Sequence, residues 1–267
     1  MNSLKFPRRH KTLRPIFRTI DGFGQSYSGI KDKLFEPEFT SLAHPEIAKI
    51  QFEFRQRAHL DPLYTQVSID LKNSKTKATR ATAFWLEFSR QIPKVLSTLA
   101  SKCESNLARH FMIQAAFEEL GGRNRCHIHC DLFVQCLRQA GSESEVLETH
   151  SEIFKNRIFT DLIEYASSCG NDQQIFGFAA GLELYANENI NLVKVGAQKC
   201  AKFSEAVDRS EFFIIHDTVE NEHIRSTLAN YIRFCKTNVE KNNFVWAFDK
   251  SIDFWRRFWA ASIQNAK

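Results

Sequence analysis

Three side chains that could bind a metal fall on one face of a predicted helix in the last quarter of the chain. His216, Glu220 and His223 are spaced by four and then three residues in a largely apolar segment. At about 100° per residue, Glu220 lies about 40° to one side of His216 and His223 about 20° to the other. A mixed set of imidazole and carboxylate favours iron or manganese over thiolate-type zinc. The alternative is that these are ordinary partners on a helix surface or buried, hydrogen-bonded histidines.

Two other segments offer further ligands. Glu119 directly precedes a helix-breaking segment that contains Gly121 and Gly122, and His129 starts the amphipathic segment that follows. Glu183 is the single acidic residue in an otherwise apolar helix of small residues. A buried carboxylate needs a partner, because an unpaired one is strongly penalised by desolvation or keeps its proton. The sequence therefore points to a shared polar site without fixing its members.

The order of these residues resembles the haem-oxygenase-like di-iron oxidases, which are relatives of the thiaminase-like and pyrroloquinoline-quinone-synthase-like helical proteins. The pattern is Glu, a Gly-bearing turn, His-x-x-Leu-Phe, Glu on a small-residue helix, and His-x-x-x-acid-x-x-His, over roughly residues 80–265. The resemblance implies two Fe²⁺ ions, with manganese as the alternative metal. The metal ligands it implies are Glu119, His129, Glu183, His216, Glu220 and His223. The family usually has Asp at the position of Glu220, so the longer side chain puts the metal spacing in question.

Neighbouring residues compete for these roles. Glu118, His127 and Asp217 flank the implied ligands and are rival ligands or hydrogen-bond partners of them. Family members that oxygenate nitrogen tend to carry another carboxylate near the first ligands. Here residues 89–95 have no carboxylate and only Glu87 and Glu104 flank them, which makes N-oxygenation a weaker expectation.

The resemblance implies an enzyme, a non-haem di-iron oxidoreductase. It would use dioxygen to oxidise a small-molecule substrate of the amino acid or carboxylic acid type, with an unknown electron donor. One branch of the family is thought to make para-aminobenzoate by consuming its own side chains. Self-sacrificing chemistry of that kind is an alternative, and it makes Tyr64, Tyr185 and Lys194 candidate catalytic residues. Interior, hydrogen-bonded tyrosines and a solvated surface lysine are the favoured explanation of these three side chains. The other alternative is a metal-free helical binding or interaction protein on the same scaffold.

Composition and periodicity predict an all-α fold. Only 10 Gly and 6 Pro interrupt 267 residues, and no series of alternating apolar residues indicates strands. We expect a haem-oxygenase-like helical bundle of eight or nine helices over residues 43–267, after a basic, irregular N-terminal arm over residues 1–42. The pattern predicts one long helix over residues 146–168 and a kink or restart at Pro93.

Charge and cysteine usage limit the partners. Residues 1–19 carry six basic side chains and no acidic one, whereas the whole chain has a formal charge of +5. The remainder therefore sums to about −1, which argues against a nucleic-acid-binding surface. No apolar segment approaches the roughly 18 residues of a membrane span. Seven cysteines without a C-x-x-C motif favour a reducing cytoplasm over a disulfide framework. The sequence is compatible with a homodimer.

Overall fold

The computed structural model describes residues 45–122 and 124–264. The side chains of residues 125, 218–223 and 226 are not part of that description. The predicted basic arm over residues 1–42 lies outside the described residues, so the predicted domain boundary stays a prediction.

The described part of the chain is helical and contains no strand, which confirms the predicted all-α class. Its helices, in chain order, are α1 Pro45–Ala58, α2 Asp61–Asn73, α3 Lys75–Lys102, α4 Asn106–Glu119, α5 His129–Gln139, α6 Glu143–Ile153, α7 Arg157–Ser168, α8 Asp172–Glu183, α9 Ala186–Cys200, α10 Ser204–Asp208, α11 Glu211–Phe234 and α12 Asn238–Ser262. A short 3₁₀ turn, Arg125–His127, precedes α5. These twelve helices exceed the expected eight or nine. Within the described ranges, no helix has both the length and the apolar character that crossing a membrane requires.

The predicted single helix over residues 146–168 is wrong. The structure divides this segment into α6 and α7, with the break at Phe154 to Asn156. The Asn156 side chain accepts a hydrogen bond from the Ile158 backbone N–H at 3.1 Å, so it caps the start of α7. No Gly or Pro marks this break, and an Asn inside an amphipathic pattern gives only a weak signal for a new helix.

Pro93 does not end its helix. The 28-residue α3 runs continuously through it. Proline removes one backbone donor from a helix interior, but burial on both sides of the proline opposes a break. Phe84 and Leu86 before it, and Val95 and Leu99 after it, are all fully buried.

Helices α8 and α12 make the most extensive helix contact in the described chain. Gly177 of α8 lies so close to α12 that a Cβ atom there would be 2.1 Å from the Phe244 carbonyl oxygen. One turn later, a Cβ on Gly181 would be 2.6 Å from the Ser251 Cβ. The Ser251 hydroxyl donates to the Phe178 carbonyl across the same contact at 2.6 Å. The small residues that precede Glu183 therefore let two backbones approach each other.

Candidate metal centre

Four helices place four of the six predicted ligands around one cavity of about 60 Å³. Glu119 is the last residue of α4, and His129 is the first residue of α5. Glu183 is the last residue of α8, and His216 lies in the second turn of α11. Side chains at helix ends and on one helix face therefore converge from segments far apart in the sequence.

The α4–α5 connection brings the first two of these residues together. Gly121 and Gly122 have φ values of 86° and 59°, in the left-handed region that favours glycine. A Cβ on Gly121 would also be 2.5 Å from the Asn124 carbonyl oxygen. This turn reverses the chain and leaves Glu119 Oε2 3.1 Å from His129 Nδ1. The glycine pair thus acts in site formation as well as in ending the helix.

His129 has a buried ring nitrogen without a hydrogen-bond partner. The residue is 8% exposed, and its Nδ1 lies within ion-pair distance of Glu119 but forms no hydrogen bond. Burial alone would lower the pKa of His129, but the carboxylates of Glu119 and Glu118 outweigh burial and raise it. A buried nitrogen next to a carboxylate is well suited to accept a cation, whether a proton or a metal ion.

The His216 ring is held in one tautomer. Its Nδ1 lies 2.7 Å from the Phe212 carbonyl oxygen one turn earlier. Because a carbonyl only accepts, Nδ1 carries the proton, which makes Nε2 the ring nitrogen that could bind a metal. The imidazole rings of His129 and His216 are 4.8 Å apart between centroids. A backbone hydrogen bond of this kind is a common way to orient a metal-binding histidine.

The remaining two predicted ligands follow on α11. Glu220 and His223 lie in the helical part of the chain, but their side chains are outside the description. Among the side chains that are described, no three of the His, Cys, Asp and Glu type are placed closely enough to hold a metal ion. The six-ligand assignment therefore stays a prediction. The orphaned His129 nitrogen, the fixed His216 tautomer and the mixed carboxylate and imidazole donors nevertheless fit iron.

None of the rival ligands lies on the cavity wall. Glu118 accepts a hydrogen bond from Gln114 at 2.9 Å, and His127 is paired with Glu211 at 3.1 Å near the surface. Asp217 is exposed. Glu118 therefore acts only through its charge, which helps to raise the pKa of His129. His127 and Asp217 have no contact with the cavity.

Glu87, within α3, and Glu104, after it, are also elsewhere. Glu87 is buried, but its Oε2 is paired with His150 Nε2 at 2.7 Å. Neither Glu87 nor Glu104 lines the cavity. The part of α3 that does face it contributes Trp85, Phe88, Ser89 and Ile92. Among the described lining residues, α3 therefore supplies no carboxylate.

The three catalytic candidates lie outside the cavity wall. The Tyr64 hydroxyl donates to Asn189 Oδ1 at 2.8 Å, and burial followed by the charge of Glu188 raises the pKa of Tyr64 well above its usual value. The Tyr185 hydroxyl donates to the Arg55 carbonyl at 3.3 Å. Lys194 is paired with Asp208 at 3.3 Å. All three thus have structural partners, and their catalytic role stays a prediction.

Two wall residues were not anticipated from the sequence. Asn189 is fully buried, and Trp85 is 5% exposed. Both line the cavity, and both carry a buried side-chain N–H group that no protein atom accepts. Asn189 is one of three asparagines at alternate positions, with Asn187 and Asn191, so its residue type alone did not distinguish it.

Comparison with known proteins agrees with this arrangement. Residues 87–256, more than half of the chain, match a family model described as an iron-containing redox enzyme. No curated protein matches the chain. The matched segment starts within α3 and extends into α12, so it includes all six predicted ligands and all the lining residues of the cavity except Trp85. The chain therefore belongs to the haem-oxygenase-like family of iron-containing redox enzymes.

Proposed function

We propose that this protein is a non-haem di-iron oxidase or oxygenase that uses dioxygen to oxidise a small organic substrate. The observation that carries the proposal is the convergence of Glu119, His129, Glu183 and His216 from four helices on one buried cavity. Glu220 and His223 lie one and two turns beyond His216 on α11. Membership in an iron-containing redox family supports the redox class.

These six residues would hold the metal ions. Bound ferrous iron would supply the electrons and open coordination positions that dioxygen activation requires. His216 is oriented for this by the Phe212 carbonyl, and His129 presents a buried nitrogen that no hydrogen bond occupies. The two described carboxylates, Glu119 and Glu183, would balance positive charge in the cavity.

The rest of the wall is largely apolar. Its apolar members come from five helices, and the largest are aromatic. They are Trp85, Phe88, Ile92, Leu182, Ala186, Ile190, Phe212 and Trp255. Excluding water strengthens every electrostatic interaction in the cavity and protects a reactive oxidant from side reactions. A cavity of about 60 Å³ also limits the substrate to a small molecule.

The proposal is tested by ferrous iron titration under anaerobic conditions. We expect about two equivalents in the wild-type protein, following the six-ligand prediction, and loss of at least one in His129→Ala. His127→Ala is the matched control, because His127 pairs with Glu211 outside the cavity. Its stoichiometry should equal that of the wild type. Mössbauer spectra then distinguish a coupled iron pair from isolated iron.

Two outcomes would contradict the proposal. Absence of iron binding by the wild type would favour the metal-free binding protein, and equal iron content in wild type and His129→Ala would exclude His129 as a ligand. A single isolated iron would reject the di-iron assignment. Tight, stoichiometric binding of manganese with little binding of iron would show that the metal is manganese and would leave the predicted ligands unchanged.

A further inference from the structure

The outer face of α4 carries a strip of exposed residues at intervals of four and three. This α4 strip consists of Asn106, His110, Ile113, Phe117 and, directly after the helix, Leu120. At about 100° per residue, all five positions fall within about 80° of the helix circumference. The last three are large apolar side chains that are 54%, 50% and 49% exposed. This spacing is typical of a helix that packs along a second helix.

An apolar groove of about 430 Å³ lies beside the α4 strip, between α3 and α4. All three apolar residues of the strip line it. The small side chains of Ala100 and Ala116 line it as well, together with Ser97, Ser101 and Arg109. One face of the molecule therefore combines large projecting side chains with a recess that could receive such side chains.

The polar groups of the groove already have partners within the chain. The Ser97 and Ser101 hydroxyls donate to backbone carbonyls of α3, each at 2.7 Å. The Arg109 guanidinium donates to the Cys103 carbonyl at 2.6 Å and to Asn106 Oδ1 at 2.8 Å. Covering these groups would break no hydrogen bond within the chain, so the groove suits an apolar occupant better than a small polar ligand.

The exposed apolar surface is large enough for a specific contact between two copies. Half of three large side chains amounts to roughly 300 Å² of apolar surface per copy, a typical size for a functional patch. Two such patches would bury roughly 600 Å² of apolar surface. At an apolar fraction of about 60%, the total interface reaches roughly 1,000 Å², the lower limit for a specific protein contact.

The α4 strip is also uncharged at neutral pH. A two-fold axis places the same residues on both sides of a contact, so any charge in the strip would meet its own copy. The strip contains one amide and one neutral imidazole beside its apolar residues, and no Asp, Glu, Lys or Arg. Two identical strips can therefore approach without burying a charge or opposing like charges, which suits a second copy of this chain.

We propose that the α4 strip is the interface of a homodimer, in which the Ile113 and Phe117 side chains of each copy enter the groove of the other. The inference goes beyond the proposed function and does not depend on a metal. Within the described ranges, α3 is the only helix with which α4 makes an extensive contact. A second copy would hold α4 from its outer side, close to the predicted ligand Glu119 at its end.

Sedimentation equilibrium of the metal-free, full-length protein tests the interface. Over roughly 1–300 µM we expect a monomer–dimer equilibrium with a micromolar dissociation constant, because the interface is at the lower end of the size range. Ile113→Glu places a carboxylate in both strips and should weaken the dimer about 30-fold or more. Ile69→Glu is the matched control, because Ile69 is nearly as exposed but lies on α2. It should keep the wild-type dissociation constant.

Phe117→Ala removes the largest side chain of the strip without adding a charge. It should weaken the dimer about 10-fold, and it carries the test if circular dichroism shows that Ile113→Glu is not folded. A wild-type protein that stays monomeric over the whole range would overturn the proposal. A dimer whose dissociation constant is unchanged in both variants would also overturn it, since the contact would then lie on another face. Iron titration of the same samples reports on the di-iron proposal separately.

Discussion

Gly177→Ala should destabilise the protein, although alanine favours a helix more than glycine does. Gly177 is in the interior of α8, where the change to alanine alone would stabilise by about 1 kcal/mol. The added Cβ, however, would lie 2.1 Å from the Phe244 carbonyl oxygen and 2.8 Å from its carbonyl carbon. Both atoms are backbone, so no side-chain rotation can relieve the overlap.

The size of the effect follows from the distance that α8 and α12 must move apart. An ordinary carbon–oxygen contact begins at 3.4 Å, which is 1.3 Å longer than the 2.1 Å at this position, and a gap of about 1 Å already forfeits up to about half of a dispersion contact. Over-packing in a well-packed core costs about 1–3 kcal/mol or more. Since this is the most extensive helix contact described, we place the cost at the upper end. After the helix preference is subtracted, a net loss of about 2 kcal/mol remains.

Urea unfolding followed by far-ultraviolet circular dichroism measures this loss. In thermal unfolding, a loss of about 2 kcal/mol corresponds to a fall in Tm of about 4–8 °C for a chain of this size. Gly170→Ala is the control, because a Cβ there would meet only Gln174 Oε1, at an ordinary 3.6 Å. It should be neutral or more stable by up to about 1 kcal/mol. Equal stability of Gly177→Ala and Gly170→Ala would refute the argument from helix contact.

Three further predictions concern buried charge and the metal ligands. His150→Ala leaves the buried Glu87 carboxylate with Gln91 as its hydrogen-bond donor and without its ion-pair partner, and should lower the free energy of unfolding by about 3 kcal/mol at neutral pH; a loss below about 1 kcal/mol in urea titrations would show that the pair contributes little. Burial alone would raise the pKa of Asp161, but hydrogen bonding to Arg257 helps reverse this and lowers it. Because the pKa of Asp161 is lower in the folded protein, its ionised carboxylate stabilises the fold at pH values above the unfolded pKa of about 3.9. This stabilisation is lost as the pH falls through the folded pKa. Arg257→Met should therefore reduce stability near neutral pH and flatten its decline in acid, and a parallel pH–stability curve would contradict this. Glu220→Asp should keep or raise occupancy of the second metal, whereas Glu220→Ala should lower it; identical iron titrations of both variants and the wild type would exclude Glu220 as a ligand.

Sequence periodicity was sufficient for the fold class but not for every boundary. The scarcity of Gly and Pro predicted long helices, and α3 is helical through its single proline. The break between α6 and α7 depends on a cap by Asn156, whose residue type also occurs inside helices. Local pattern therefore gives the class, whereas some helix ends depend on capping contacts that a pattern does not specify.

Site residues divide in the same way. The spacing of His216 and the residues that follow it is a property of one helix, so it was visible in the sequence. The orientation of the Asn189 side chain depends on hydrogen bonds from Tyr64, 125 residues earlier, and from Trp259, 70 residues later. Its orientation follows only from tertiary packing, and no local pattern could have identified it.

Helix α12 connects the stability of the fold to the geometry of the cavity. Its Trp255 donates to the Leu182 carbonyl at 3.3 Å, next to the predicted ligand Glu183, and also stacks on Trp85. Its Trp259 holds the Asn189 oxygen. The separation of α8 and α12 forced by Gly177→Ala would therefore displace the predicted ligand Glu183 and the wall residues Trp85 and Asn189 together. We infer that this glycine contact sets the site as well as the core, so that the loss of stability should be accompanied by weaker iron binding.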